Sequence, residues 1–289
     1  MKTGRNDPCS CGSGKKTKVC CGRGNSSLAN TDRQYLLSLF HGGHFAPLEG
    51  QLDPLIRRNP ASSFLWGLLG ATLQAQHRDG LPALHKAVAL APTDAEAHCN
   101  LGMACHEQGR IDDALASYRR AIELDPKHLR AHLNSAGLLA ADNRLPLAEA
   151  SFRQALKIEP RLVEAMIGLS DVLTRQGRVD EAEDFLQQAM SLKTHGAEIS
   201  FCLGNIQRHR GCLTEARASY QSAIDAQPAF LRAYTHLGDV LVELGCVDEA
   251  IDCFRKAIEI EPSYAEARLA LARLGEGTFP EAGGHEVVD

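Results

Sequence analysis

From residue 95 onward the apolar residues recur at steps of three and four, the period of a helix with one buried face. The stretch AEAHCNLGMACHEQGRIDDALASYRRAIELDPKH, residues 95–128, divides at Gly109 into two such helices, and the pattern returns every 34 residues. Prolines 60, 92, 126, 160, 228 and 262 close successive units, with Thr194 where one proline is missing. Small residues recur where paired helices must cross closely: Gly102, Ala136, Ser170, Gly204 and Gly238 on the first helix, Ala114, Ala148, Ala182, Ala216 and Ala250 on the second. Tyr118, Phe152, Leu186, Tyr220 and Phe254 hold one bulky site between them. Gly109, Gly177, Gly211 and Gly245, with Asn143 in the same register, are predicted to end the first helices in the left-handed conformation. Asp112, Asp180, Thr214 and Asp248 are predicted to cap the second helices, with Pro146 tolerated in a first turn in place of a cap. This gives five regular units over 95–264, two degenerate ones over 29–94 and a closing helix at 265–274. Residues 275–289 read as a disordered tail. The earlier unit that begins near Trp66 reads as two residues short in its loop.

The alanines, the bulky site and Trp66-x-x-Leu69-Gly70 together resemble the tetratricopeptide repeat (TPR). The resemblance implies an all-α superhelical solenoid of helical hairpins whose first helices line a concave groove, with a peptide or protein partner in it. The non-core positions of those helices are then the candidate partner-binding residues: Asn100, Met103, His106, Asn134, Asp171, Arg175, Asn205, Arg208, His209, His236 and Asp239. A side-chain amide both donates and accepts, so it can hold a peptide backbone without demanding a sequence. Asn100 and Asn134 share the register of the asparagine ladder in O-linked N-acetylglucosamine transferases, whereas Gly168, Cys202 and His236 interrupt it.

Ahead of the repeats, residues 1–24 carry Cys9, Cys11, Cys20 and Cys21, two close pairs around a Gly-Ser-Gly turn. That spacing can bring four thiolates to one tetrahedral zinc ion, Zn2+. A disulfide framework is the bland rival, less suited to a leaderless segment that short. A phosphate loop at Gly14-Lys15-Lys16-Thr17 fails because no Ser or Thr directly follows the Lys. The segment resembles the SEC-C motif through Gly4-Arg5-Asn6-Asp7-Pro8, both cysteine pairs and Gly12-Ser13-Gly14-Lys15-Lys16. This resemblance implies a small bacterial zinc module that docks a partner surface, on a chaperone or the ribosome. Residues 25–28, Asn-Ser-Ser-Leu, read as the linker.

Charge is divided unevenly. The chain carries a net −5, but residues 1–24 hold six Lys/Arg against Asp7, a net +5, which leaves −10 for the remainder. With no aromatic residue in the basic segment for stacking and an acidic body behind it, nucleic acid is an unfavoured partner. No apolar run approaches a membrane span, and the remaining six cysteines are dispersed like reduced packing residues, so a cytoplasmic protein is expected. No nucleophile elbow, nucleotide fingerprint or HExxH helix occurs, which points away from an enzyme. The function expected is an adaptor, with the groove on one partner and the zinc module on a second. The alternative is a substrate-recognition arm serving a separate glycosyltransferase or sulfotransferase.

Overall fold

The computed structural model describes residues 30–192 and 194–275, so the cysteine module, the linker and the tail lie outside the described residues. All regular elements among the described residues are helices. They fall into two compact units that divide within one helix, between Ser135 and Ala136. The first unit holds α1 (Asn30–His41), α2 (Phe45–Arg58), α3 (Ser63–Ala75), α4 (Leu81–Leu90), α5 (Ala95–Glu107), α6 (Ile111–Leu124) and the start of α7 (Leu129–Ala141). The second holds the end of α7, then α8 (Leu145–Ile158), α9 (Val163–Arg175), α10 (Val179–Ser191), α11 (Gly196–His209), α12 (Leu213–Ala226), α13 (Leu231–Glu243), α14 (Val247–Ile260) and α15 (Ala265–Arg273).

Within each unit the helices pack as hairpins: α1 with α2, α3 with α4 and α5 with α6, then α9 with α10, α11 with α12 and α13 with α14. One turn makes all of these pairs. After α5 the Gly109 N–H donates to the His106 carbonyl at 2.9 Å and the Arg110 N–H to the Cys105 carbonyl at 2.8 Å, the two bonds of a Schellman motif. The residue at the corner has φ of 71° at Gly109, 79° at Gly177 and Gly211, and 80° at Gly245. The same turn forms with Asn143 at φ 57° and with His77 at φ 57°, where only glycine would be free of strain.

Two local expectations are corrected. Asp112, Asp180, Thr214 and Asp248 are not caps: Arg110, Arg178, Cys212 and Cys246 hold the cap positions and give no side-chain cap bond. The acidic residues sit within the first turn, where they face the positive end of the helix dipole instead. Side-chain caps occur on first helices, Ser62 on α3 and Asp94 on α5. The short unit, in turn, loses length from α4, which has 10 residues against 14 in α6, while its turn is longer. That turn presses on α3 so tightly that a Cβ on Gly80 would lie 2.3 Å from the Gly70 carbonyl oxygen.

A second repeated bond ties four of the hairpins to the helix that follows. Trp66 Nε1 donates to the Pro60 carbonyl at 2.9 Å, His98 and His132 meet Pro92 and Pro126 through Nε2 at 3.1 Å, and Tyr234 Oη donates to Pro228 at 3.3 Å. These aromatic and imidazole groups satisfy carbonyls left over at the end of a helix.

The closest packing lies inside the hairpins. A Cβ on Gly102 would stand 2.6 Å from the Tyr118 ring, one on Gly204 2.6 Å from Tyr220, and one on Gly238 2.5 Å from Phe254. In the hairpin where Ala136 takes the glycine's place, the Phe152 ring instead covers Gly168 of the following first helix, where a Cβ would be 2.3 Å away. Gly204→Ala is therefore expected to destabilise by roughly 1–3 kcal/mol through overpacking against a fully buried ring. Gly137→Ala, in a helix with open space around its Cβ, should stabilise by about 0.5–1 kcal/mol. Urea denaturation of both variants checks the pair; equal effects would show that the ring does not set the helix spacing.

Candidate functional site

On the first helices of unit 1 the residues at steps of four, three and four form one stripe. α1 presents Arg33, Leu37 and Phe40; α3 presents Phe64, Leu68, Ala71 and Ala75; α5 presents Glu96, Asn100, Met103 and Glu107. These stripes line a cleft of about 840 Å³. Leu37, Phe40, Leu68, Ala71 and Met103 make it apolar, with the polar groups set along its edges and at Asn100.

The polar groups are held in place. Arg130 of α7 reaches across to Glu96, and its Nη2 donates to Asn100 Oδ1 at 2.7 Å. His128 Nε2 lies 3.1 Å from the other Glu96 oxygen. With Oδ1 occupied, the Asn100 amide offers a ligand chiefly its Nδ2 donors. Gln74 Nε2 donates to Glu107 Oε2 at 2.9 Å, and the Arg33 guanidinium lies over the Phe64 ring, 4.9 Å from its centre.

Of the residues singled out from the sequence, Asn100 and Met103 line this cleft. His106 is exposed beside it, one position off the stripe. Asn134 is half-buried on α7 next to the Tyr118 hydroxyl, which has no hydrogen-bond partner of good geometry.

In unit 2 the equivalent polar residues bond to one another. Arg175 donates to the Ala140 carbonyl and to Asn143 Oδ1, both at 2.9 Å. Asn205 Nδ2 reaches Asp171 Oδ1 at 3.5 Å, and Asn205 Oδ1 accepts from Tyr220 Oη at 2.8 Å. Arg208 pairs with Asp239 at 3.4 Å and with Glu243 at 2.5 Å. His209 is exposed. His236 lies edge-on to Phe201 and Tyr220, with ring centres 4.8 and 5.7 Å away and a buried Nδ1 that has no partner. Burial pushes its pKa down to about 4, helped by Arg208 and Arg232, so the ring is neutral at pH 7. Burial also pushes Asp239 up, against the pull of Arg208. At the ladder position itself, Gly168 is covered by Phe152, and Cys202 is buried with its thiol pushed up.

Sequence reasoning passed over Arg33, Phe40, Phe64, Gln74, Glu107 and Arg130. One signal was available: residues 35–66 hold Tyr35, Phe40, Phe45, Phe64 and Trp66 in a chain with 15 aromatic residues in all. Among the described residues no cluster of His, Cys, Asp or Glu could hold a metal ion. The cysteines described are all free: Cys99, Cys105 and Cys202 are buried, Cys246 and Cys253 half-buried, and Cys212 exposed. No helix of the described residues is long and apolar enough to cross a membrane. The candidate ligands Cys9, Cys11, Cys20 and Cys21 lie outside the described residues.

Comparison with known proteins agrees with this geometry. Residues 95–128 and 139–198 match models described as tetratricopeptide repeat, residues 238–274 match one described as TPR repeat, and residues 5–23 match the SEC-C motif. The chain carries tetratricopeptide repeats behind an N-terminal SEC-C motif. Its fold, the all-α TPR solenoid, is shared with a chain of the APC/C hetero-tetramer Cut9-Hcn1, at 16% identity and a TM-score of 0.70 over 86% of this chain. It is shared also with a tetratricopeptide repeat protein from Parabacteroides merdae ATCC 43184, at 18% identity and 0.70 over 83% of this chain and 95% of that one. The match covers 49% of the Cut9-Hcn1 chain, about half its length. UPF0225 proteins of Vibrio cholerae serotype O1 are 77% identical over 22 residues, 8% of this chain and 15% of theirs.

The two buried tyrosines differ in a way that denaturation can read. Tyr220→Phe should cost about 1 kcal/mol, since it removes the bond to Asn205. Tyr118→Phe should be neutral or slightly stabilising, because its hydroxyl is buried without a partner. A cost at Tyr118 equal to that at Tyr220 would mean that Asn134 does hold the Tyr118 hydroxyl.

Proposed function

We propose that this chain is a non-enzymatic protein-interaction adaptor: the cleft of the first unit takes an extended peptide or protein segment, and the cysteine module docks a second partner. The observation that carries the reading is the contrast between the grooves. In unit 1 an apolar floor and an oriented amide face open space, whereas in unit 2 the polar groups of the same stripe are already bonded to each other. Free and clustered thiols suit a reducing compartment such as the bacterial cytoplasm.

The donor set of the module fits zinc: four thiols, and basic Arg5, Lys15, Lys16, Lys18 and Arg23 around them to offset the formal −2 of a tetrathiolate site. Cys9, Cys11, Cys20 and Cys21 would hold the ion, whose role when bound is structural. The cationic residues of the module would then meet the docking surface, for which the SEC-C resemblance suggests a chaperone or the ribosome.

Filling the cleft tests the groove half of the proposal. Ala75 is exposed at the cleft wall, so Ala75→Trp should block it without touching the core and abolish capture of the groove partner. Asn100→Ala should weaken that partner by roughly 0.5–1.5 kcal/mol, the net worth of one hydrogen bond. Asp171→Ala, in unit 2, should leave it unchanged. Loss with Asp171→Ala and not with Ala75→Trp would move the site to the other unit.

Zinc is tested separately. Elemental analysis should find one zinc per chain, lost when the four cysteines are changed to serine, with the helical circular dichroism and melting temperature retained. Absence of zinc from protein prepared without chelator would remove the metal from the account.

A further inference from the structure

The cleft of unit 1 has a direction, and its charges show it. Its ionisable lining consists of Arg33, His41, Asp94, Glu96, Glu107 and Arg130. Three of the five full charges are used internally. Glu96 is matched by Arg130, with His128 on its second oxygen. Asp94 accepts from the N–H groups of Glu96 and Ala97 as the cap of α5, where the helix dipole compensates it.

Two charges remain, and they lie at opposite ends. Arg33 rests on the Phe64 ring near the start of α3, and no carboxylate of the described residues pairs with it. Glu107 is bonded near the end of α3 to Gln74, a neutral donor, and no cation of the described residues pairs with it. From Phe64 to Gln74 is ten residues of helix, an axial rise of roughly 15 Å at 1.5 Å per residue, to which the spacing between α1 and α5 adds. Between the ends lie Leu68, Ala71 and Met103, with Asn100 presenting its amide midway along the floor.

We infer that the cleft selects an extended segment carrying an acidic and a basic side chain at least about four to five residues apart, with apolar side chains between them. The acidic group meets Arg33, the basic group meets Glu107, and the apolar side chains occupy the floor while Asn100 holds the backbone. This rests on the cleft being the peptide site. A segment with both charges of one sign leaves either Arg33 or Glu107 facing a like charge, which is the basis of the discrimination.

The test is selection from a random 12-residue peptide library displayed on phage, with the zinc-loaded full chain as bait. Enriched peptides should carry the acidic–apolar–basic pattern at that spacing. Arg33 and Glu107 are both exposed, so Arg33→Glu and Glu107→Lys leave the core intact. By fluorescence anisotropy each should weaken a selected peptide about 2- to 5-fold, the range for exposed ion pairs. A peptide with its acidic residue changed to Lys should recover its affinity on Arg33→Glu. Enriched peptides without the pattern, yet lost on Ala75→Trp, would overturn the inference and leave the cleft as the peptide site. No enrichment, or enrichment indifferent to Ala75→Trp, would overturn both.

Discussion

The close approach of an aromatic ring to a glycine is the constraint on which the hairpins depend. Tyr118, Tyr220 and Phe254 each occupy the space that a side chain on Gly102, Gly204 or Gly238 would need. A helix pair set this close buries the alanines at 114, 216 and 250 completely, and it fixes which residues of the first helix are left to face the groove. The Schellman turns do the complementary work. They reverse the chain within a few residues while satisfying the carbonyls at the end of the first helix, so that every hairpin except α3–α4, whose turn is longer, starts its second helix in the same register.

From the same backbone plan the two units make different surfaces. In unit 1 the groove stripe is apolar on α1 and α3, where Leu37 and Leu68 stand in the register of Asn100. Charges there are few and mostly paired along the cleft edge. In unit 2 the stripe is polar, and the residues close on one another: Asn205 between Asp171 and Tyr220, Arg208 between Asp239 and Glu243, Arg175 on Ala140 and Asn143. A ligand there would have to replace existing bonds, which yields little net free energy. His236 deepens the difference, since it fills its register with a neutral ring packed on Phe201 and Tyr220.

Much of the fold was legible in the sequence because it depends on residues with few conformational options. The 34-residue period, the closing prolines, and the left-handed corners at Gly109, Gly177, Gly211, Gly245 and Asn143 all follow from backbone sterics that a single sequence displays. The caps were misread because Asp112 and Asp180 sit near a helix start, and position within one turn is finer than the pattern resolves. The site was legible only in part. Asn100 and Met103 stood out through the regular repeats, but Arg33, Phe64 and Gln74 lie in units whose departure from the period hid their register. Nor could a sequence show that Asp171, Asn205, Arg208 and Asp239, polar and suitably spaced, are already bonded across neighbouring helices. That is a property of packing between helices, and only coordinates reveal it.

The central claim is that the working surface is the cleft of α1, α3 and α5. Site-specific photo-crosslinking tests it most directly, with benzoylphenylalanine placed at Leu37, exposed in the cleft of unit 1, and separately at Asp171 on the groove stripe of unit 2. The expected result is a discrete covalent adduct from Leu37, suppressed by Ala75→Trp in the same chain, and none from Asp171. Adducts from Asp171 alone would contradict the account.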